Sequence, residues 1–126
     1  MDNNNMMIRA LSTSSMNGTN VVNAQGEDLG HIEDIMIDLS TGRILYTVLS
    51  FGGLLGIGNK LFAVPFESFT IDQHNENFVL NMDKERLQNA PGFDKNDWRS
   101  TANTDFQDEV YRFYNVEPYW HAEPMR

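Results

Sequence analysis

Between Gly26 and Pro65 the chain carries three strand-length apolar runs with almost no residues to spare between them. Gly26-Glu27-Asp28-Leu29-Gly30 leads into a run ending at Asp38. Ser40-Thr41-Gly42 follows, then a second run from Arg43 to Phe51, a glycine-rich stretch, and a third run closed by Pro65. β-Branched and aromatic residues fill these runs, and Gly, Asn, Asp or Pro stands wherever the chain must reverse. The pattern is that of a β-meander, which constrains architecture strongly and chemistry weakly.

The first long run contains an irregularity. Ile35, Ile37 and Leu39 share one face at period two, whereas Ile32 has the opposite parity. A bulge near Glu33-Asp34 would bring Ile32 onto that face and curve the strand. Gly42 is free to take positive φ in the hairpin Leu39–Arg43. Ile44, Tyr46 and Val48 then alternate with Leu45, Thr47 and Leu49, so both faces of that strand expect cover. With Val21-Val22 before the meander and a hairpin from Phe69 to Met82 after it, six short strands are expected. They form a mainly β fold, a small closed or nearly closed barrel. Ile35, Ile37, Tyr46, Val48 and Leu80 are its expected core.

Three zones follow. Residues 1–17, rich in Asn, Ser, Thr and Met, read as a mostly mobile arm; residues 18–98 hold the barrel and a closing segment; residues 99–126 form a C-terminal helical and aromatic extension. Asp83 is placed to cap a short helix through Leu87, ended by Ala90-Pro91-Gly92-Phe93. Thr104 and Gln107 have capping-box spacing, and Phe106, Val110 and Phe113 fall on one face of a helix of about three turns. Tyr119 and Trp120 bring too much aromatic surface for a free tail, and should pack on the barrel or on a second subunit.

Charge and composition exclude several classes. The 126 residues include eighteen acidic and nine basic side chains, for a net charge of −9, and no Lys or Arg cluster. That field opposes direct nucleic-acid binding, which depends on cationic side chains that displace counterions. There is no cysteine, hence no disulfide, thiolate metal site or Cys nucleophile. No apolar run reaches membrane-spanning length and the N-terminal residues lack a signal pattern, so the expectation is a cytoplasmic protein without membrane insertion.

Several pieces in order then resemble a known family. They are Asn23-x-x-Gly26-Glu27-x-Leu29-Gly30-x-Ile32, Ile37-Asp38-x-x-Thr41-Gly42-x-Ile44-x-Tyr46, Gly52-Gly53-x-x-Gly56-x-Gly58-x-Lys60 and Ala63-Val64-Pro65. Together they resemble a PRC-barrel domain, and Lys84-Glu85-x-Leu87-x-x-Ala90-Pro91-x-Phe93 with Trp98 is similar to the closing segment of free-standing bacterial members. The resemblance implies a small barrel that docks onto other macromolecules, with no shared catalytic residues. It also implies a tie to stress in similar free-standing proteins, and frequent dimers. A ribosome-maturation branch of the family leaves an RNA-linked or ribosome-assembly accessory role open as an alternative.

No motif supplies chemistry of its own. Asn59 separates Gly58 from Lys60, and Leu61 stands where a phosphate loop needs Ser or Thr. His31, Glu33 and Asp34 lie together without a second histidine at ligand spacing, and the expected bulge separates His31 from Glu33. Glu27-Asp28, Glu33-Asp34 and Asp108-Glu109 are adjacent pairs that point apart in strands. The expectation is therefore a non-catalytic interaction or adaptor module with no metal, cofactor or catalytic residue. A small-ligand-binding protein or enzyme with an unrecognised site is the second alternative. The candidate interaction surface is Leu54, Leu55 and Ile57 at the glycine-rich tip, with Phe106, Phe113, Tyr119 and Trp120 from the extension. A homodimer using that extension is the expected assembly, beside an unknown protein partner.

Overall fold

A computed structural model describes residues 10–51, 60–94, 96–97, 101 and 103–122. One turn of helix, α1 (Thr13–Met16), precedes β1 (Asn20–Val22), β2 (Asp28–Ile37), β3 (Ile44–Ser50) and β4 (Lys60–Val64). A tight helical turn at Phe66–Ser68 leads into β5 (Phe69–Asp72) and β6 (Asn77–Leu80). Then come α2 (Lys84–Gln88), β7 (Gly92–Asp94), α3 (Thr104–Phe113) and α4 (Tyr119–Ala122).

Seven strands form one mixed sheet in the order β5-β6-β1-β2-β3-β4-β7. The neighbours are antiparallel except β1 and β6, which run parallel with Val21 beside Phe78 and Val22 beside Val79. The described sheet is open, with β5 and β7 as its edges, so both the count of six strands and the closed or nearly closed barrel are corrected. The extra strand is β7. Pro91-Gly92 does stop α2, but the chain then lies along β4, pairing Leu61 with Phe93 and Phe62 with Gly92. Gly92 permits that approach, since a Cβ there would stand 2.9 Å from the Leu61 carbonyl oxygen.

The β2 bulge lies where the parity of Ile32 placed it. Ile32 pairs with Leu49 and Asp34 with Val48, leaving Glu33 over. Asp34 Oδ1 accepts the Ile35 N–H at 2.8 Å, and Ile32 and Ile35 both reach the core. A second irregularity was not legible. Met36 pairs with Tyr46 but Ile37 with Ile44, so Leu45 is left over on β3. The face expected to hold Ile35, Ile37 and Leu39 breaks there. Ile35, Tyr46, Val48 and Leu80 are buried as expected, whereas Ile37 is 42% exposed and Leu39 93% exposed, so Ile37 is not a core residue.

Two apolar clusters lie on opposite faces of β3 and β4. Leu49, Phe62 and Val64 point into the inner one with Val21, Leu29, Ile32, Phe78 and Leu80, closed by Met16 of α1 and Leu87 of α2. Tyr46, Val48, Leu61 and Ala63 point into the outer one, where Phe93 of β7 and Val110 and Tyr111 of α3 cover them. Alternation on both strands makes the second cover obligatory, because each large apolar side chain fully buried contributes about 1.5–3 kcal/mol.

Caps fix the helices. Asp83 accepts the Arg86 N–H at 2.8 Å, as its position before α2 predicted. For α3 the cap is Asn103, whose Oδ1 accepts the Asp105 N–H at 2.7 Å; the capping box at Thr104 is corrected by one residue. At the other end of the chain, part of the segment read as an arm is ordered: Ser12 caps α1, and Met16 is buried.

Candidate interaction face

The extension folds onto its own sheet. Val110 and Tyr111 of α3 enter the outer cluster, and the Tyr111 hydroxyl donates to the carbonyl of Leu45, the residue left over at the β3 irregularity. Asn115 takes φ +59° and the Val116 N–H returns to the Tyr111 carbonyl at 3.0 Å, which reverses the chain into α4. Tyr119 is then buried, and its hydroxyl donates to Asp38 Oδ2 at 2.6 Å. The Arg43 guanidinium lies 4.1 Å from the Tyr119 ring centre while its Nη2 stands 3.7 Å from Glu67. The Trp120 ring nitrogen donates to Asp108 at 3.1 Å, and its ring meets Tyr111 edge-on at 4.8 Å.

Asp38 does double service. One carboxylate oxygen holds Tyr119 and the other accepts the Ser40 N–H at 2.9 Å, within the turn that joins β2 to β3. The carboxylate therefore ties α4 to a hairpin tip on which Ile37 and Leu39 stand in solvent. The Tyr119 hydrogen bond, then that of Ser40, holds the Asp38 carboxyl below its ordinary range.

Of the expected surface, Phe106, Phe113, Tyr119 and Trp120 all lie on this extension but meet different surroundings. Phe106 is half-buried with its ring 6.2 Å from Phe93; Phe113 is half-buried beneath the Arg86 guanidinium, 4.6 Å from the ring centre. Trp120 is half-buried, and Tyr119 is engaged with its own chain. Leu54, Leu55 and Ile57 lie outside the described residues. Sequence reasoning missed Ile37 and Leu39 as surface residues; the one available signal was Leu39 adjoining Ser40-Thr41-Gly42, where a strand face has already ended.

Among the described residues no three His, Asp or Glu side chains converge on a point fit for a metal ion. His31 and Glu33 do meet, Nε2 to Oε1 at 3.2 Å on the exposed side, although the bulge was expected to part them. A surface hollow of about 370 Å³ is lined by Asp108, Arg112, Asn115, Val116, Glu117 and Pro118; Asp108 there already accepts from Trp120. No described helix is long and apolar enough to cross a membrane.

All four tyrosines ionise above their ordinary value of 10. Burial is the main cause in each; at Tyr119 the hydrogen bond to Asp38 adds to it and the pKa is pushed up to about 12. Folding thus favours the protonated phenol, so this stability is complete below pH 10 and falls as pH rises through about 12. Tyrosinate absorbance of the folded protein at pH 10 should stay well below that of the urea-unfolded chain, which is half-ionised there. Equal titration of the two states would refute the burial of these phenols.

The PRC-barrel domain family model matches residues 9–87 of the chain. No curated protein matches it. β7, α3 and α4 all lie beyond the matched residues.

Proposed function

Because the chain belongs to the PRC-barrel family, we propose that it works as a non-catalytic protein-interaction or adaptor module. The observation that carries this is the hairpin tip. Ile37 and Leu39 hold apolar side chains in solvent on either side of Asp38, and the bond from Tyr119 to that carboxylate anchors the tip against the extension. An anchored apolar pair is suited to a protein partner, since little ordering is lost when it is covered. Phe106, Phe113 and Trp120, half-buried on the adjoining extension, would widen the surface. A second copy of the chain is one such partner, giving a homodimer that buries the same patch twice.

The test is capture from native lysate, with halves treated and untreated with RNase. A protein retained by the parent chain, indifferent to RNase and lost with folded Leu39→Asp, is the expected result. Retention that depends on RNA would favour the accessory role in ribosome assembly; equal retention by Leu39→Asp would remove the tip from the surface.

A further inference from the structure

Asn17 alone among the asparagines precedes a glycine. That pairing is the one most prone to spontaneous deamidation, because no side chain shields the Gly18 nitrogen as it attacks the Asn17 side-chain carbonyl carbon. Asn17 is exposed, so water reaches it. It ends α1, the single helical turn whose Met16 closes the inner cluster and is only 5% exposed.

The fold opposes the reaction there in two ways. The Gly18 N–H, which must lose its proton before the nitrogen can attack, donates to the Ile32 carbonyl at 2.7 Å. Ring closure also needs that nitrogen eclipsed with the Asn17 Cβ, and at ψ +134° it is rotated well out of line. Neighbouring bonds hold this geometry. The Asn17 N–H reaches the Thr13 carbonyl at 3.0 Å, and the Ile32 N–H returns to the Thr19 carbonyl at 2.9 Å. The nitrogen is freed only when α1 lifts and the junction parts from β2.

We propose that Asn17 is a deamidation site controlled by that opening, and that its conversion unseats α1 from the inner core. The Gly18 nitrogen bonds to Asn17 Cγ and ammonia leaves, closing a cyclic imide; water then opens the ring at either carbonyl. The sum is water consumed and ammonia released, with no oxidant or reductant. Opening at one carbonyl gives aspartate. Opening at the other gives isoaspartate, whose main chain is longer by a methylene between the Asn17 and Gly18 nitrogens. With that insertion the bonds to Thr13 and Ile32 cannot both keep their present lengths, and Met16 is drawn from its seat.

The test incubates the full chain, folded and in urea, at one pH and temperature, and follows amide-to-acid conversion at each asparagine by peptide mapping. In urea Asn17 should lead. In the folded chain it should be slower by about tenfold or more, the factor that an opening cost of only ~1.4 kcal/mol imposes. Hydrogen exchange of the Gly18 amide reads the same opening independently. The slowing of deamidation should equal or exceed its protection factor, since exchange needs the bond broken but not the turn in ψ. Met16→Ala removes the anchor of α1 and should speed both processes together. The isoaspartyl form, separated by ion exchange, should be oxidised at Met16 by dilute peroxide several-fold faster than the parent.

Equal deamidation in the folded and unfolded chain overturns control by the fold, and another asparagine leading in urea overturns the site. Unchanged rates in folded Met16→Ala detach the site from α1, and unchanged Met16 oxidation removes the unseating. Where circular dichroism shows Met16→Ala unfolded, Ser12→Ala replaces it. Ser12 Oγ accepts the Ser15 N–H at 3.1 Å on the exposed side of α1, and loss of such a cap shifts the helix equilibrium by about fivefold. None of these readings depends on Leu39, so the hairpin tip and Asn17 stand or fall apart.

Discussion

Gly30→Ala is expected to unfold the protein or to remove several kcal/mol of stability, the largest effect of a methyl group added at any described glycine. A Cβ at Gly30 would stand 2.1 Å from the Ser50 carbonyl oxygen and 3.2 Å from Phe51 Cα. Both are backbone atoms of the chain running beside β2, so no rotamer change relieves the clash. Gly30 also holds φ +110°, a conformation side chains rarely take. Strain and overlap together point to a loss of ~3–5 kcal/mol, at the extreme of single substitutions. Gly42→Ala gives the contrast. Its φ is +77° but nothing lies within 4 Å of the added methyl, so only the backbone term of about 1–2 kcal/mol remains. Urea midpoints of the two variants and the parent measure both; a parent-like midpoint for Gly30→Ala would show that β2 passes Ser50 at a greater distance.

Val48→Asp should be as damaging for a different reason. Val48 is fully buried in the outer cluster, where Leu61 and Ala63 offer a carboxylate no partner and the Tyr46 hydroxyl is already donated to the Thr101 carbonyl at 3.3 Å. An uncompensated charge there costs at least several kcal/mol, and the variant should be insoluble or expanded. Ile37→Asp, eleven residues earlier on the neighbouring strand, should remain folded within about 0.5–1 kcal/mol of the parent, because its side chain already meets water. Thermal unfolding separates the pair. Collapse of both variants would return Ile37 to the core; a soluble, cooperatively melting Val48→Asp would remove Val48 from it.

The opposite fates of Ile37 and Val48 show where sequence stops informing. A bulge within one strand leaves a trace, since Ile32 falls out of parity with Ile35, and that bulge was placed correctly. The irregularity that turns Ile37 outward lies in its partner strand, at Leu45, whose own alternation with Tyr46 looks regular. Local periodicity carries no record of pairing. The same limit hid β7, for three residues after Pro91-Gly92 have too little pattern to mark a strand until β4 is seen beside them. It also hid the parallel pairing of β1 with β6. By contrast, the two-sided burial of β3 and the cap at Asp83 depend on spacing within one segment, and each was legible; on α3 Val110 was named for the apolar face, whereas Tyr111, buried beside it, was not. Of the interaction face, the aromatic residues of the extension could be named beforehand. That Asp38 and Arg43 receive Tyr119 could not, since the hydroxyl and carboxylate are 81 positions apart.

The parallel pairing of β1 with β6 governs the order in which this molecule can become itself. Val21 has no strand beside it on the β6 side until Phe78 arrives, and the bed formed by Tyr46 and Val48 is covered only once Phe93 and then Tyr111 are made. A chain emerging from the ribosome must therefore carry an unfinished sheet until β6, β7 and α3 follow the earlier strands, with long loops to close before either apolar face is satisfied. Topology thus leaves it to β6, β7 and α3 to decide whether the earlier strands are sheltered or left to find other company.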